Sequence, residues 1–287
     1  LINHLRNKIR NTPRRTWIHC GIISTIVLIL LIIELVRLFS LTEIKAADLY
    51  LHQDPNRESA VVSEIPHGQH VKVIKQSNNW WYIKYNNKKG WIPSWLVGVD
   101  GYNVKTSDQL PQTTIVIDPG HGGSDSGTLS ANENYMEKTY TLQMAKKVAN
   151  ELRQQHVNVI MTRTRDEYVT LAKRTQLADQ SHADLFISFH FNSDNGNGNA
   201  DGYGVYQYHS SDNKVANTVN DALDNLPVKS RGVSFGNYYV LRENQRPAIL
   251  CEMGFMDSAH DIHYIQSSDY QQHVADDMSK ALSKYFD

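Results

Sequence analysis

Three apolar runs in the second half of this 287-residue chain end on side chains that hold metals or move protons. Ile117-Asp118-Pro119-Gly120-His121-Gly122-Gly123 closes the run 113–118, and Ser188-Phe189-His190-Phe191-Asn192-Ser193 closes 184–189. Leu250-Cys251-Glu252-Met253-Gly254-Phe255 closes 248–251. Each run reads as a buried strand, so its last residues open onto the carboxyl edge of a sheet, where open α/β folds build their sites. Zinc bound for hydrolysis takes three nitrogen or oxygen ligands and keeps a fourth position for water. His121, Glu137 and His190 supply such a set, and Glu252 adds a second acidic group suited to general acid and base work. The same donors accept several divalent ions.

Each residue also has a plainer explanation. His121 alone is a turn residue among glycines, and His190 alone is a hydrogen-bonded core histidine. Glu137 serves equally as a helix-start carboxylate or a partner of Lys138, and Glu133 is a nearby rival for the ligand role. Glu252 could pair with Arg242 or Arg165. None of these explanations accounts for all four bordering one sheet edge, and a carboxylate ending a buried strand is costly unless paired or used.

The elements that must position these groups alternate. After the strand to Asp118, a helix is expected from about residue 136, with Tyr140, Met144 and Val148 at helical spacing. Strand 157–162, helix 171–181 and strand 184–190 follow. This β-α-β-α-β order implies a mostly parallel twisted sheet flanked by helices, an α/β fold. Segments 203–209, 238–241 and 247–253 read as further strands, 192–202 as a loop built on Asn-Gly repeats, and 270–285 as a closing helix.

The first hundred residues have a different character. Residues 17–39 are almost wholly apolar and long enough to span a bilayer, and Arg6, Lys8, Arg10, Arg14 and Arg15 precede them. The positive-inside rule keeps residues 1–16 in the cytoplasm and the remainder outside. Ala46-Ala47 resembles a signal-cleavage site, but Glu34 and Arg37 and the length of the apolar core favour an uncleaved single-pass anchor. Residues 46–100 carry short alternating runs separated by turns at His67-Gly68 and Asn86-Asn87, the pattern of a small all-β barrel. The text from Asp48-Leu49-Tyr50-Leu51 through Trp80-Trp81-Tyr82-Ile83 to Gly90-Trp91-Ile92-Pro93-Ser94-Trp95 resembles bacterial SH3-type domains. Its tryptophans are either packing residues or a peptide groove. Residues 101–112 are polar and broken, an interdomain linker to a catalytic domain at 113–287. A net charge of −1 argues against nucleic acid as a partner. Cys20 and Cys251, in an apolar segment and a core strand, exclude a disulfide framework.

Residues 117–123, Glu137-Lys138, Thr164-Arg165-Asp166 with Leu171 and Arg174, 188–193 and 247–255 resemble the zinc-dependent N-acetylmuramoyl-L-alanine amidases of the Amidase_3 family. The resemblance implies Zn2+ on His121, Glu137 and His190, with Glu252 catalytic. It implies cleavage of the amide joining N-acetylmuramic acid to L-alanine in peptidoglycan, and the expected anchor sets that cleavage near the outer face of the cytoplasmic membrane. Met256-Asp257-Ser258 departs from the usual family text, as does the lead into Glu137, which keeps Glu133 in play. A noncatalytic wall-binding scaffold and a zinc peptidase acting within the stem peptide are the alternatives. The barrel is expected to bind wall peptide or to dock a membrane-protein partner.

Overall fold

The computed structural model describes residues 19, 21–29 and 41–287. Residues 1–16 and most of the expected 17–39 span lie outside them, as does Cys20. Residues 21–29 are helical with exposed apolar side chains. Among the described residues no helix is long and apolar enough to cross a membrane.

The first globular unit is all β. Strands β1 (Leu41–Glu43), β2 (Asp48–His52), β3 (Val61–Pro66), β4 (His70–Ser77), β5 (Trp80–Tyr85) and β6 (Lys88–Pro93) form one sheet in the order β1-β4-β5-β6-β2-β3. Alternation sends Leu49, Leu51, Val71, Ile83 and Ile92 inward to a common core. The tight returns fall at Asn78-Asn79 and Asn86-Asn87, all at positive φ, which asparagine tolerates better than most residues. Trp80 is buried, edge-on to Trp95 at 5.4 Å, so it packs rather than lining a groove. Trp95 donates its Nε1–H to the Pro111 carbonyl at 2.7 Å. The expected linker is itself packed, with Tyr102 and Val104 in the barrel core and Leu110 in the next one.

The second unit is a mixed sheet of β7 (Thr114–Pro119), β8 (Asn158–Met161), β9 (Leu185–Asn192), β10 (Tyr203–Gln207), β11 (Ser230–Phe235) and β12 (Ala248–Phe255), ordered β11-β10-β12-β9-β7-β8. Every pairing is parallel except β10 with β12, so the mostly parallel expectation is met. One face is covered by α1 (Glu137–Gln154), α3 (Asn213–Ala222) and α6 (Ser268–Phe286), the other by α2 (Leu171–Gln180) and α4 (Tyr239–Arg242). A short α5 (Asp261–Ile265) packs beside β12. Four elements differ from expectation. The segment 238–241 leads into the one-turn helix α4, with Tyr238 as its extended cap, rather than forming a strand, because Val240 and Leu241 must tuck under the sheet face. Strand β11 and helices α3 and α5 had no sequence counterpart.

The barrel docks at the amino ends of β7, β8 and β9. Arg57 Nε meets Asp184 Oδ1 at 2.8 Å, and Asp184 Oδ2 accepts from the Thr114 backbone N–H. Asn79 donates to Asn158 Oδ1 at 2.7 Å. The opposite, carboxyl edge stays open.

Candidate metal centre and active site

Period-two alternation puts Asp118 of β7, Ser188 and His190 of β9 and Glu252 of β12 on one sheet face. Cα register pairs Asp118 with Ser188 and Glu252 with His190. Glu137 arrives from the other layer as the first residue of α1. Met136 is extended there, and the Glu137 and Lys138 N–H groups donate to the Thr128 and Ser126 carbonyls.

These elements bring His121, Glu137 and His190 together, with one donor atom from each lying within 4.8 Å of the others. Glu137 sits between the imidazoles, Oε2 3.0 Å from His121 Nε2 and Oε1 3.0 Å from His190 Nδ1. Backbone N–H groups of Thr128 and Phe191 donate to the same two oxygens, each at 2.9 Å. Glu133 is not in the cluster; it is exposed in a turn with φ of 59°. Lys138 pairs instead with Asp166 at 2.8 Å, which frees Glu137 from the surface-pair explanation. Two glycines are required by crowding: a Cβ on Gly120 would run into the His190 ring, and one on Gly127 would overlap Glu137 and His121.

Burial alone would raise the Glu137 pKa, but hydrogen bonds from both imidazoles hold it far below the carboxylate range. Burial would likewise lower His190, and the Glu137 carboxylate overrides it, raising it to about 9. His121 moves upward against the same burial for the same reason. This donor set fits a divalent cation: an anionic carboxylate held ionised between two imidazoles, with backbone donors fixing its remaining lone pairs.

Glu252 is buried beside the cluster with Oε2 unpartnered. Burial raises its pKa to about 7, with His190 pulling down and Glu137 pushing up. Neither expected arginine pairs with it; Arg242 bonds Glu243 and Arg165 bonds Glu167. His121, His190 and Glu252 line a cleft of about 340 Å3 walled by Tyr168, Leu171 and Tyr238. A larger hollow of about 580 Å3 lies between His209 and Tyr285 at the amino end of β12, but no metal-donor cluster falls there among the described residues.

Two supports were not read from the sequence. Asp125 Oδ2 lies 2.9 Å from His121 Nδ1, a carboxylate fixing the orientation of the imidazole in the way metal sites use; the His-x-x-x-Asp spacing carried that signal. Beneath the site, Asp118 accepts from Thr162 at 2.5 Å, Arg174 at 2.7 Å and Ser188 at 2.7 Å. Arg174 also donates to the carbonyls of Pro119 and His121, and Arg163 to those of Pro119 and Gly120. Two buried guanidiniums therefore hold the turn that carries His121. Arg174→Ala is expected to cost about 3–5 kcal/mol in denaturant unfolding, because it strands a buried carboxylate, and to loosen the turn that carries His121.

Residues 115–284 match the N-acetylmuramoyl-L-alanine amidase family, and residues 47–98 match the bacterial SH3 domain. The chain belongs to the N-acetylmuramoyl-L-alanine amidase family. This amidase is 35% identical over 243 residues to the probable cell wall amidase LytH of Staphylococcus aureus, covering 82% of this chain and 81% of that one. Its fold is similar to the amidase AmiC2 of Nostoc punctiforme, at 35% identity and a TM-score of 0.58, over 60% of this chain and 96% of that one. An N-acetylmuramoyl-L-alanine amidase from Clostridium difficile 630 is 36% identical with a TM-score of 0.59, over 60% and 96%. The amidase fold thus accounts for the second unit, and the bacterial SH3 match for the first.

Proposed function

We propose that this amidase is a zinc enzyme that cleaves the amide between the lactyl group of N-acetylmuramic acid and L-alanine in peptidoglycan. The observation that carries the reading is the convergence of His121, Glu137 and His190 beside the unpartnered carboxylate oxygen of Glu252. Those three side chains would hold the zinc, which when bound would supply a Lewis acid for acidifying water and polarising a carbonyl. Glu252 takes the proton of the attacking water and returns it to the departing amine, a role suited to a buried carboxylate with a raised pKa. Asp125 holds the His121 ring in register, and Glu137 remains ionised throughout. Tyr168 and Tyr238 wall the approach, and Tyr238, driven up to about 12 by burial and then by Glu252, stays a phenol donor.

We also infer a single-pass anchor at residues 17–39 that keeps the catalytic unit outside the cell and close to the membrane. Exposed apolar side chains at Ile22, Ile23 and Ile26 support it, as does similarity to a cell wall amidase. Tethering concentrates the enzyme at wall strands near the bilayer.

Digestion of purified peptidoglycan, read by mass spectrometry, tests the reaction. Free lactyl groups on the glycan with intact stem peptides are the expected products. Shortened stems would assign a peptidase, and an unchanged digest with zinc present would assign a scaffold.

A further inference from the structure

The barrel carries a row of like charges. Lys72 of β4 lies opposite Lys84 of β5, which lies opposite Lys89 of β6. Like charges directly opposed across strands are destabilising, and all three are exposed on the outer sheet face. The next row on that face is Lys75, Tyr82 and Trp91, with the Lys75 ammonium 4.9 Å from the Tyr82 ring centre and 4.8 Å from that of Trp91. Ile74, half exposed in the bulge between the rows, adds an apolar tip.

Among the described residues no acid forms an ion pair with this row. Residues 61–93 contain Lys72, Lys75, Lys84, Lys88 and Lys89 but a single acidic residue, Glu64, and Glu64 is engaged by Lys105 at 2.6 Å. Glu43, opposite His70 on β1, and Asp54, just past the end of β2 beside β6, flank the row, and neither these acids nor the three lysines join an ion pair among the described residues. The chain as a whole is nearly neutral, so the concentration of positive charge is local.

The row begins where the apolar segment ends. Residues 17–39 run directly into β1, whose Leu41 pairs with Lys72. Strands lie about 4.8 Å apart, so three steps carry the row from β1 to Lys89 within about 15 Å. A segment leaving a bilayer at residue 39 sets Lys72 one strand from the membrane, and a sheet laid with this face down brings all three ammonium groups to headgroup level, where each lysine gains from anionic lipid and the gain fades within about 8 Å.

We propose that the Lys72–Lys84–Lys89 face of the barrel docks on an anionic lipid surface, laying the SH3 unit against the membrane. This rests on the anchored reading above. The lysines meet lipid phosphates, and Ile74 and Tyr82 sit at the interface. Because the barrel holds the catalytic unit through Arg57 and Asn79, docking fixes the height and tilt of the cleft above the membrane.

The test uses the full chain reconstituted into phosphatidylcholine vesicles, with or without about one-third phosphatidylglycerol. Flotation reports anchoring, and amine acetylation read by mass spectrometry reports the face. Labelling of Lys72, Lys84 and Lys89 is expected to fall about threefold to tenfold on anionic vesicles relative to neutral ones, to recover in high salt, and to leave Lys146 of α1 unchanged. In a Lys72→Gln/Lys84→Gln/Lys89→Gln variant, Lys75 should label equally on both vesicles. Flotation on both vesicles with equal labelling overturns the docking and leaves the anchor standing; failure to float overturns both. Protection on neutral vesicles by soluble polyphosphate, without protection by phosphatidylglycerol, overturns the lipid assignment in favour of a soluble polyanion.

Discussion

Glu252→Gln is expected to slow peptidoglycan hydrolysis by about 10²–10⁴-fold while zinc content, measured by metal analysis, stays at the parent level. The substitution keeps the shape of a side chain buried in the central strand β12 and removes only its ability to accept and return a proton. A second consequence follows from the raised pKa, which burial and then the Glu137 charge push up while His190 and His121 pull the other way. A carboxyl group with a folded pKa near 7 binds its proton more tightly in the folded state, so its ionisation costs stability as pH rises from the unfolded value toward 7. In the metal-free protein, Glu252→Gln should therefore match the parent at pH 4 and exceed it at pH 8 by up to about 3 kcal/mol. For catalysis the sign reverses, since the base must be ionised. The acid limb of kcat/KM is expected between the ordinary glutamate value of about 4.3 and 7, because a divalent cation beside Glu252 favours its charged form. A variant with unaltered turnover would remove Glu252 from the reaction, and a lower stability at pH 8 would contradict the desolvation argument.

Much of the site was legible because strands buried on both faces leave an unambiguous trace. Runs such as Ile115-Val116-Ile117 and Leu185-Phe186-Ile187 have few alternatives to core strands, and whatever polar residue follows must emerge at the sheet edge. His121, His190 and Glu252 were found that way. The choice between Glu133 and Glu137 was not legible from spacing alone. It is decided by the backbone, since the turn 130–135 sends Glu133 to solvent and the helix begins at Glu137 itself. Helix α3 was missed because Asn213, Asn217 and Asn220 are weak helix formers that mask the buried Val215, Ala216 and Val219. Strand β11 was missed because it is an edge strand interrupted by Gly232 and only partly buried, so no alternation survives. Segment 238–241 misled through composition: Tyr, Tyr, Val and Leu favour strands, yet packing of Val240 and Leu241 under the cleft rules the local structure. The Asp118 network escaped for a different reason. A buried aspartate announces that it needs partners, but Thr162, Arg174 and Ser188 come from three separate elements that only the fold assembles.

His190→Ala and Glu137→Ala should each abolish stoichiometric zinc binding, whereas Asp125→Ala, which loosens only the orientation of His121, should weaken it by about 10–100-fold. Glu137→Ala carries a further signature. The carboxylate is what lifts His190 to about 9 against burial, so without it burial prevails and the His190 pKa should fall below its ordinary value, measurable by NMR titration of the metal-free protein. The same shift sets the pH dependence of metal uptake. At pH 7 the metal-free parent holds His190 protonated, and zinc must displace that proton, because only a neutral imidazole is a ligand. Apparent affinity should therefore rise with pH, by about tenfold per unit for each proton released, and level off above about 9. Calorimetry in buffers of different ionisation enthalpy reads the released proton directly. Binding heats that do not change with the buffer, together with pH-independent affinity, would show that His190 is not a ligand.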